Sequence, residues 1–534
     1  MDSWLDLGCS ARARRGLTTL LLALGCGDDS SPPMMMDSSS SGTPPPPADS
    51  STTAVPTPPD PDSTSEGSST TGEPLPPLEV DVEVYTYPNQ PMVVDLGFSA
   101  PNLEVVIDHS TDPGIRTGPI PGLPDQTWVR VRGLSPATGH IVNWSVTDEQ
   151  ARTDEGDLLI TTETPLPGFI PSFEIGGSGA GYGGFVLFDL LGLTPDSPSS
   201  LFVVDTQGIT RWYMERSDGV IGPGAVFAGA KLRPDGTLLY LRNFSIFVID
   251  EMGVEQVNLS SQDLSLPGLH HEVIELPNGN FLALSYSFRD IEYPDLGTTY
   301  VAGDLIVEIT PDGDVVWEWD AFDHLDPQRR RADFDEPVFD PQTMTFASDW
   351  THGNALLYDP DDDTVLICLR HQDWLVQIDR ATGDVLWRLG DEGDFTLTAG
   401  LWPFHQHSPQ WQDDGTLLLY DNGRGNPTLP DTFETSRAVR YAVDTEAMTV
   451  TQVWADDAED FMAPIAGDAD RLPDGSILVT DSSIDMDDGF DVSYARVREI
   501  DERTSGTPQW SFTTELGTFI YRSTPTDLLP GEQP

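Results

Sequence analysis

Five of the nine histidines in this 534-residue chain stand where apolar runs begin: His270, His271, His352, His405 and His407. The clearest setting is the stretch from Asp349 to Arg370. Two apolar runs, Asn354–Tyr358 and Thr364–Leu369, flank a turn rich in Asp and Pro, so the stretch reads as a β-hairpin. His352 lies nine residues before the turn centre at Asp361 and Arg370 nine after it, which sets the two opposite each other across the strands. Alternation along a strand puts His352 and Asn354 on one face. Two more histidines share a register: His271 precedes Gly279 by eight residues and His407 precedes Gly415 by eight, while Ala228 and Gly467 hold the same place elsewhere.

Three chemistries suit His271, His352, Asn354, Arg370 and His407 brought together. Three imidazoles make a metal site by ligand type, although Arg370 beside them opposes a cation and favours an anion. A passive anion-binding channel is the second. Nucleophilic catalysis is the third, because an imidazole attacks a phosphoryl-like or sulfuryl-like group when its neighbours hold the transferred oxygens. Each needs strand starts from separate hairpins to converge.

A repeat supplies that convergence. An apolar strand, a turn and a second strand ending near Trp recur six times, at Leu201 to Trp212, Ile246 to Val257, Leu305 to Trp317, Leu375 to Trp387, Ala438 to Trp454 and Arg496 to Trp510. A second line precedes most of them: Leu232-Arg-Pro-Asp-Gly, Leu276-Pro-Asn-Gly, Gln412-Asp-Asp-Gly and Leu472-Pro-Asp-Gly, each followed by an apolar strand. Two hairpins per unit, at spacings of roughly 45 to 70 residues, predict an all-β six-bladed propeller over residues 173–534, with the first strand of each blade lining a central channel. The recurring Trp residues are packing between blades.

Ahead of it, short alternating runs from 78 to 164 predict a small β-sandwich. Val131–Val146 resembles the corner and following strand of a fibronectin type III domain, and whether this unit binds a ligand, spaces the chain or forms a homodimer stays open. Residues 26–77 are Ser, Thr, Pro and Gly with too little apolar content for a core, and read as a disordered tether. Residues 1–25 carry Arg12, Arg14 and Arg15 before the short apolar run Leu17–Leu24, the pattern of an export signal, and Leu-Gly-Cys places Cys26 where bacterial lipoproteins are lipidated. The expectation is an exported periplasmic or cell-surface lipoprotein held to a membrane by its anchor alone. Cys368 sits in mid-strand as a small buried apolar residue, so no intrachain disulfide is expected. The chain has 27 Lys+Arg, of which only Lys231 is a lysine, against 88 Asp+Glu, for a net charge of −61. Such a surface repels phosphate backbones and excludes nucleic acid as a partner.

The run Asp349-Trp-Thr-His-Gly-Asn, the Leu369-Arg-His-Gln beyond it, His270-His-Glu ahead of Pro277-Asn-Gly, and Phe404-His-Gln-His-Ser ahead of Asp421-Asn together resemble bacterial aryl-sulfate sulfotransferases. The resemblance extends from Phe173 to Pro534. It implies a six-bladed propeller behind a small sandwich, which moves a sulfuryl group from a phenolic sulfate ester to a phenol acceptor with no cofactor, metal or nucleotide donor. It implies that His407 carries the group as a sulfohistidine in a ping-pong scheme. Arg370, Asn354 and one histidine would hold the sulfuryl oxygens, and His271 or His352 would exchange the phenolic proton. By spacing, Asp421 lies seven residues beyond Asp414 as His407 lies seven before it, and either orients the His407 ring or is a plain surface hairpin residue; His405, two before His407, departs from the family pattern as a second imidazole on the same face. Two alternatives stay open: a non-catalytic surface lipoprotein with a ligand-binding propeller, and a metal-dependent hydrolase or lyase.

Overall fold

The computed structural model describes residues 75–533 except 111, 123–124, 164–171, 193–198, 217–225, 332, 429–434, 457–460, 487–488, 490–491 and 504–506. The expected signal segment, Cys26 and nearly all of the tether lie outside the described residues. The regular elements of the described chain are almost all strands, with one α-helix of four residues, Ala321–His324.

Two small sheets come first. Val82–Thr86, Val94–Phe98, Thr127–Arg132 and Arg116–Pro119 form one; Glu104–Asp108, Gly139–Thr147 and Thr153–Thr161 form the other. Alternate residues meet in a shared core of Leu96, Phe98, Val131, Trp144 and Val146, where the Phe98 and Trp144 rings lie edge to face at 5.6 Å. Two of these seven strands, Val94–Phe98 and Arg116–Pro119, carry no clean alternation, so period-two patterning does not mark them. Arg130 and Arg132 on the first sheet both reach Glu251, and Arg211 reaches back to Asp112, so charge pairs tie this unit to the larger body of sheets beyond residue 173.

That body consists of six mainly antiparallel sheets, and each of the six repeated lines supplies two neighbouring strands of one of them. Four turn glycines that mark the second line, Gly236, Gly279, Gly415 and Gly475, have φ between 77° and 90°, the left-handed conformation that makes glycine the natural residue there. The opening strands touch in chain order: Ala228–Leu232 with Leu269–Glu275, then Gly353–Asp359, His407–Trp411 and Asp468–Arg471. Asp468–Arg471 touches Ser523–Thr526, which touches Ala228–Leu232. Ser523–Thr526 pairs with Phe185–Gly192 in the first of the six sheets, and Glu174–Gly177 pairs with Trp510–Thr513 in the last. Early and late parts of the chain are thus interleaved in both sheets.

The third sheet is extended. Phe281–Tyr293 and Gly297–Ile309 are 13 residues each and pair along their whole length, so the hairpin runs on past the rest of the sheet. Its flank is covered by Thr345–Asp349, which runs parallel to Gly297–Ile309 and delivers the chain directly to His352.

Candidate active site

The opening strands of the third, fourth and fifth sheets do not begin as regular ladders. The pairing register shifts between His270 and Val273, between Gly353 and Ala355, and between His407 and Gln410. His271, His352, His405 and Ser408 have φ of 58°, 50°, 56° and 48°, a left-handed conformation that costs a residue with a Cβ on the order of 1–2 kcal/mol. Bulges of this kind re-aim side chains at the end of a strand.

The expected cluster forms. The His271 and His352 rings lie 4.9 Å apart, edge to face, and the Arg370 amide donates to the His352 carbonyl at 3.1 Å, which places the two opposite each other as the hairpin count required. The His407 Nδ1 contacts Asn422 Oδ1 at 2.6 Å and the His405 carbonyl at 3.2 Å. Asn422 Nδ2 donates to the carbonyls of Ala463 and Ala466 at 2.7 and 2.8 Å, so its Oδ1 is an acceptor. A backbone carbonyl accepts only. Both contacts therefore place the proton of neutral His407 on Nδ1 and leave the lone pair on Nε2. Burial, then the charge of Arg370, holds the His407 pKa well below its ordinary value, so the ring is neutral at neutral pH.

Arg370 is fully buried, with Nη1 against His371 Nε2 at 2.7 Å, Nη2 at 3.4 Å from the Pro464 carbonyl, and no hydrogen-bond partner for Nε among the described residues. Its nearest carboxylate contact, Asp333, is 3.8 Å away. A second guanidinium, Arg522, pairs with Glu272 and donates to the Asn354 carbonyl at 2.6 Å. Its Nε is likewise buried without a partner, and its charge also depresses His407 and His271. Two buried cations with donors to spare call for an anion. The carboxylates stand behind the imidazoles: His352 Nδ1 donates to Asp349 at 2.6 Å, and His405 Nε2 to Asp333 at 2.6 Å. Asp349 stays ionised because His352 and His371 outweigh its burial. Glu336 is drawn down to about 2, against burial, by the hydrogen bond to His371 and the charge of Arg370.

His371 is pulled both ways. Burial lowers its pKa, yet Asp349 and Glu336 together raise it. Its Nε2 faces both Arg370 Nη1 at 2.7 Å and Glu336 at 3.5 Å, and its Nδ1 faces the Asp349 carbonyl at 3.0 Å.

Three expectations are corrected. Asp421 does not orient His407; its carboxylate accepts from the amides of Phe404 and Gly423 and from Arg437, and Asn422 holds the ring instead. His405 does not lie beside His407 as a second imidazole on one face, since its positive φ and the bond to Asp333 turn it toward His371, 6.1 Å away. Asn354 is near, but the bulge and not alternation places it, and its Nδ2 donates to the Gln406 carbonyl at 2.9 Å, bracing the backbone just before His407. Residues that the sequence reading did not single out for the site are Asn422, Arg522, Glu336, Asp333, Asp349 and His371. Asn422, Asp349 and His371 stand inside the quoted motifs, whereas Arg522, Glu336 and Asp333 lie outside them.

Glu336, His352 and His371 bring one ligand atom each within 4.8 Å of one another. A cation there would sit against the Arg370 guanidinium that faces His371 Nε2, which is a poor setting for a divalent ion. An aromatic row leads away from the cluster along the projecting hairpin: Tyr286 stacks on His270 at 3.9 Å, Phe288 comes next at 5.8 Å and Tyr300 at 5.7 Å.

The sequence model of one family, Arylsulfotransferase (ASST), matches residues 146–522. Arylsulfate sulfotransferase AssT of Escherichia coli O6:H1 (strain CFT073) is 27% identical over 57% of this chain and 61% of its own length, and the protein of that name from Lelliottia amnigena is 26% identical over the same shares. The chain therefore matches about three-fifths of the length of these curated relatives. A solved putative 6-phosphogluconolactonase from Bacteroides fragilis NCTC 9343 covers 79% of this chain and 100% of its own at 13% identity, with a TM-score of 0.30, a likeness too slight to bear on the site.

Proposed function

On the premise that the chain belongs to the arylsulfotransferase family, we propose that it transfers a sulfuryl group from a phenolic sulfate ester to a phenol, through a sulfohistidine at His407. The observation that carries this reading is the His407 tautomer: Nδ1–H is fixed by Asn422 and the His405 carbonyl, so Nε2 keeps its lone pair, under the charge of two guanidiniums, Arg370 and Arg522, whose Nε atoms have no partner among the described residues. In the first half-reaction Nε2 attacks sulfur in line, the sulfur–aryloxygen bond breaks with its electron pair on the aryl oxygen, and the sulfuryl group rests on the ring. In the second, a phenol oxygen attacks the same sulfur and the N–S bond returns its pair to Nε2. Arg370 and Arg522 compensate the charge on the peripheral oxygens, as the transferred group of a phosphoryl reaction also demands. His271 or His352 exchanges the phenolic proton. Water in place of the second phenol gives a sulfatase outcome.

The reading includes a six-bladed propeller, supported by six sheets in order, by opening strands that touch from one to the next around to the start, and by the interleaved early and late strands. It also includes a fibronectin-III-like sandwich as spacer or homodimer surface, and export with lipid attachment at Cys26.

The test is intact mass spectrometry of residues 75–534 mixed briefly with an activated aryl sulfate and no acceptor. The expected result is a gain of one SO₃ on His407, absent from His407→Ala and discharged by added phenol. Phenol release without any adduct would overturn the covalent route, and neither adduct nor release would favour a binding protein. The grouping of Glu336, His352 and His371 keeps one rival specific, a metal-dependent hydrolase; loss of turnover on chelation would favour it, and full activity in chelator would dismiss it.

A further inference from the structure

Two buried polar atoms near the cluster face each other with no other partner among the described residues. His270 Nε2 and Asp304 Oδ1 are 3.5 Å apart, and neither has a hydrogen bond. Both side chains are enclosed, and native structures seldom leave such atoms orphaned without a reason. The opposite nitrogen of His270, Nδ1, lies 2.8 Å from Nδ1 of His271. Asp304 is itself fixed: its Oδ2 accepts from the Gly353 amide at 2.6 Å. A Cβ at position 353 would come within 2.6 Å of Oδ1, so glycine succeeds His352 to make room for this carboxyl. Three ionisable groups thus stand in line, with the His271 ring at the free end beside His352 and under the charge of Arg522.

We propose that Asp304, His270 and His271 form a proton relay, in which His271 Nε2 exchanges the phenolic proton and Asp304 holds it from the acceptor half-reaction until the next donor half-reaction. This rests on the sulfotransfer reading above. With Asp304 ionised, His270 Nε2–H points at Oδ1, His270 Nδ1 accepts from His271 Nδ1–H, and His271 Nε2 carries a lone pair: a base for the acceptor phenol. Taking that proton sends the His271 Nδ1 proton to His270 and the His270 Nε2 proton to Asp304. Both rings end neutral and the carboxyl holds the charge balance. In the donor half the same three shifts run backwards, and the aryl oxide leaves as a phenol. The proton lent by Asp304 in one half is returned in the other, so the cycle closes with no net proton and the sulfohistidine coincides with an ionised Asp304. The catalytic residue is His271; His270 and Asp304 act through it.

The surroundings suit a proton that rests on the carboxyl and not on a ring. Burial raises the Asp304 carboxyl to about 7, with Asp349 adding to the rise and Thr351, the Gly353 amide and His371 opposing it. Burial, then the charge of His352, lowers His270 to about 3, and the same pair of effects holds His271 well below its ordinary value. An imidazolium at either ring is disfavoured, which is why a neutral chain ending in a carboxyl is the cheaper route. Stacking on Tyr286 at 3.9 Å fixes the plane of His270 along the line. The 3.5 Å gap has to close by several tenths of an ångström, as catalytic hydrogen bonds commonly do on substrate binding.

The experiment compares rates of sulfohistidine formation from two donors, 4-nitrophenyl sulfate, whose phenolate leaves unaided, and phenyl sulfate, whose phenolate needs a proton. Asp304→Asn presents an amide that can neither lend nor store a proton, and His270→Gln interrupts the line if the first variant folds poorly. The expected result is a shift in the rate ratio between donors of about 100-fold or more against phenyl sulfate in either variant, the size of lost general-acid assistance. Equal slowing of both donors means a structural role and overturns the relay, as does an unchanged ratio with unchanged rates. Absence of any adduct in the unmodified protein with 4-nitrophenyl sulfate defeats the underlying sulfotransfer reading instead, whatever the variants do.

Discussion

Replacing Asn422 by Ala isolates what the tautomer lock contributes. The lost Nδ1–H···Oδ1 bond of 2.6 Å is worth about 0.5–1.5 kcal/mol net, or roughly a 2- to 13-fold preference for the reactive tautomer. The His405 carbonyl at 3.2 Å remains as a weaker acceptor, so the preference weakens without inverting. Added freedom of the ring brings the expected loss in the rate of adduct formation to about 10- to 100-fold, with little change in donor affinity. Stability falls too. The Ala463 and Ala466 carbonyls both lose the Asn422 amide, because the single Ser436 hydroxyl proton has a closer acceptor in the residue-422 carbonyl at 2.9 Å than in Ala463 at 3.2 Å, at a cost of about 1–3 kcal/mol for each carbonyl left without a donor. Stopped mixing with 4-nitrophenyl sulfate reads the rate, and urea unfolding reads the stability. Asn422→Asp separates tautomer from charge. A carboxylate there keeps the acceptor but favours imidazolium and raises the His407 pKa, so this variant is slowest at low pH and recovers as pH rises, whereas the Ala variant is slow at every pH. A wild-type rate in Asn422→Ala, or an Asp variant that slows as pH rises, would refute the argument.

The same geometry sets three further outcomes. Arg370→Gln lowers adduct formation by about 10²–10³, and because the Arg370 charge helps depress His407, the acid side of its pH profile moves up toward ordinary imidazole values. In the unmodified protein the pKa of His407 is displaced downward, so its lone pair is available above that displaced value and protonated only below it. The rate with 4-nitrophenyl sulfate therefore holds steady from about pH 8 down past about 6.5 before falling, which a pH–rate profile checks. Gly353→Ala forces a methyl against Asp304 and lowers the thermal midpoint, with a cost of about 1–3 kcal/mol read by calorimetry.

The all-β character and the six repeated pairs of strands were legible because period-two alternation and turn glycines are local signals, as Gly236, Gly279, Gly415 and Gly475 illustrate. The histidine cluster was legible as well, since equal distances from those turns put His271 and His407 at one height. Errors arose where counting assumed an unbroken ladder. His407 and Asp421 are seven residues either side of Asp414, but the bulge between His407 and Gln410 pairs His407 with Tyr420. That single inserted residue moves Asp421 off the histidine face and brings Asn422 onto it. The same failure explains His405. Glu336 and Asp333 come from the irregular segment before Thr345–Asp349, and Arg522 from between two late strands, where no periodicity or motif marks them. Which carboxylate or guanidinium such a segment lends to a distant site is decided by tertiary packing alone.

Arg522 gives the interleaved ends of the fold a meaning beyond mechanical closure. It immediately precedes Ser523–Thr526, the strand that completes the first of the six sheets, and its partner Glu272 was made 250 residues earlier. Its backbone amide and that of Tyr521 are held by Asp189, on a strand made earlier still. A chain that has emerged as far as the fifth sheet already carries His271, His352, Arg370 and His407, yet it lacks the second guanidinium and the brace on the Asn354 carbonyl. Synthesis alone therefore imposes a schedule: the nucleophile is made early and its full setting arrives last, so that a nascent or truncated chain is a poor reagent until the late strand has docked.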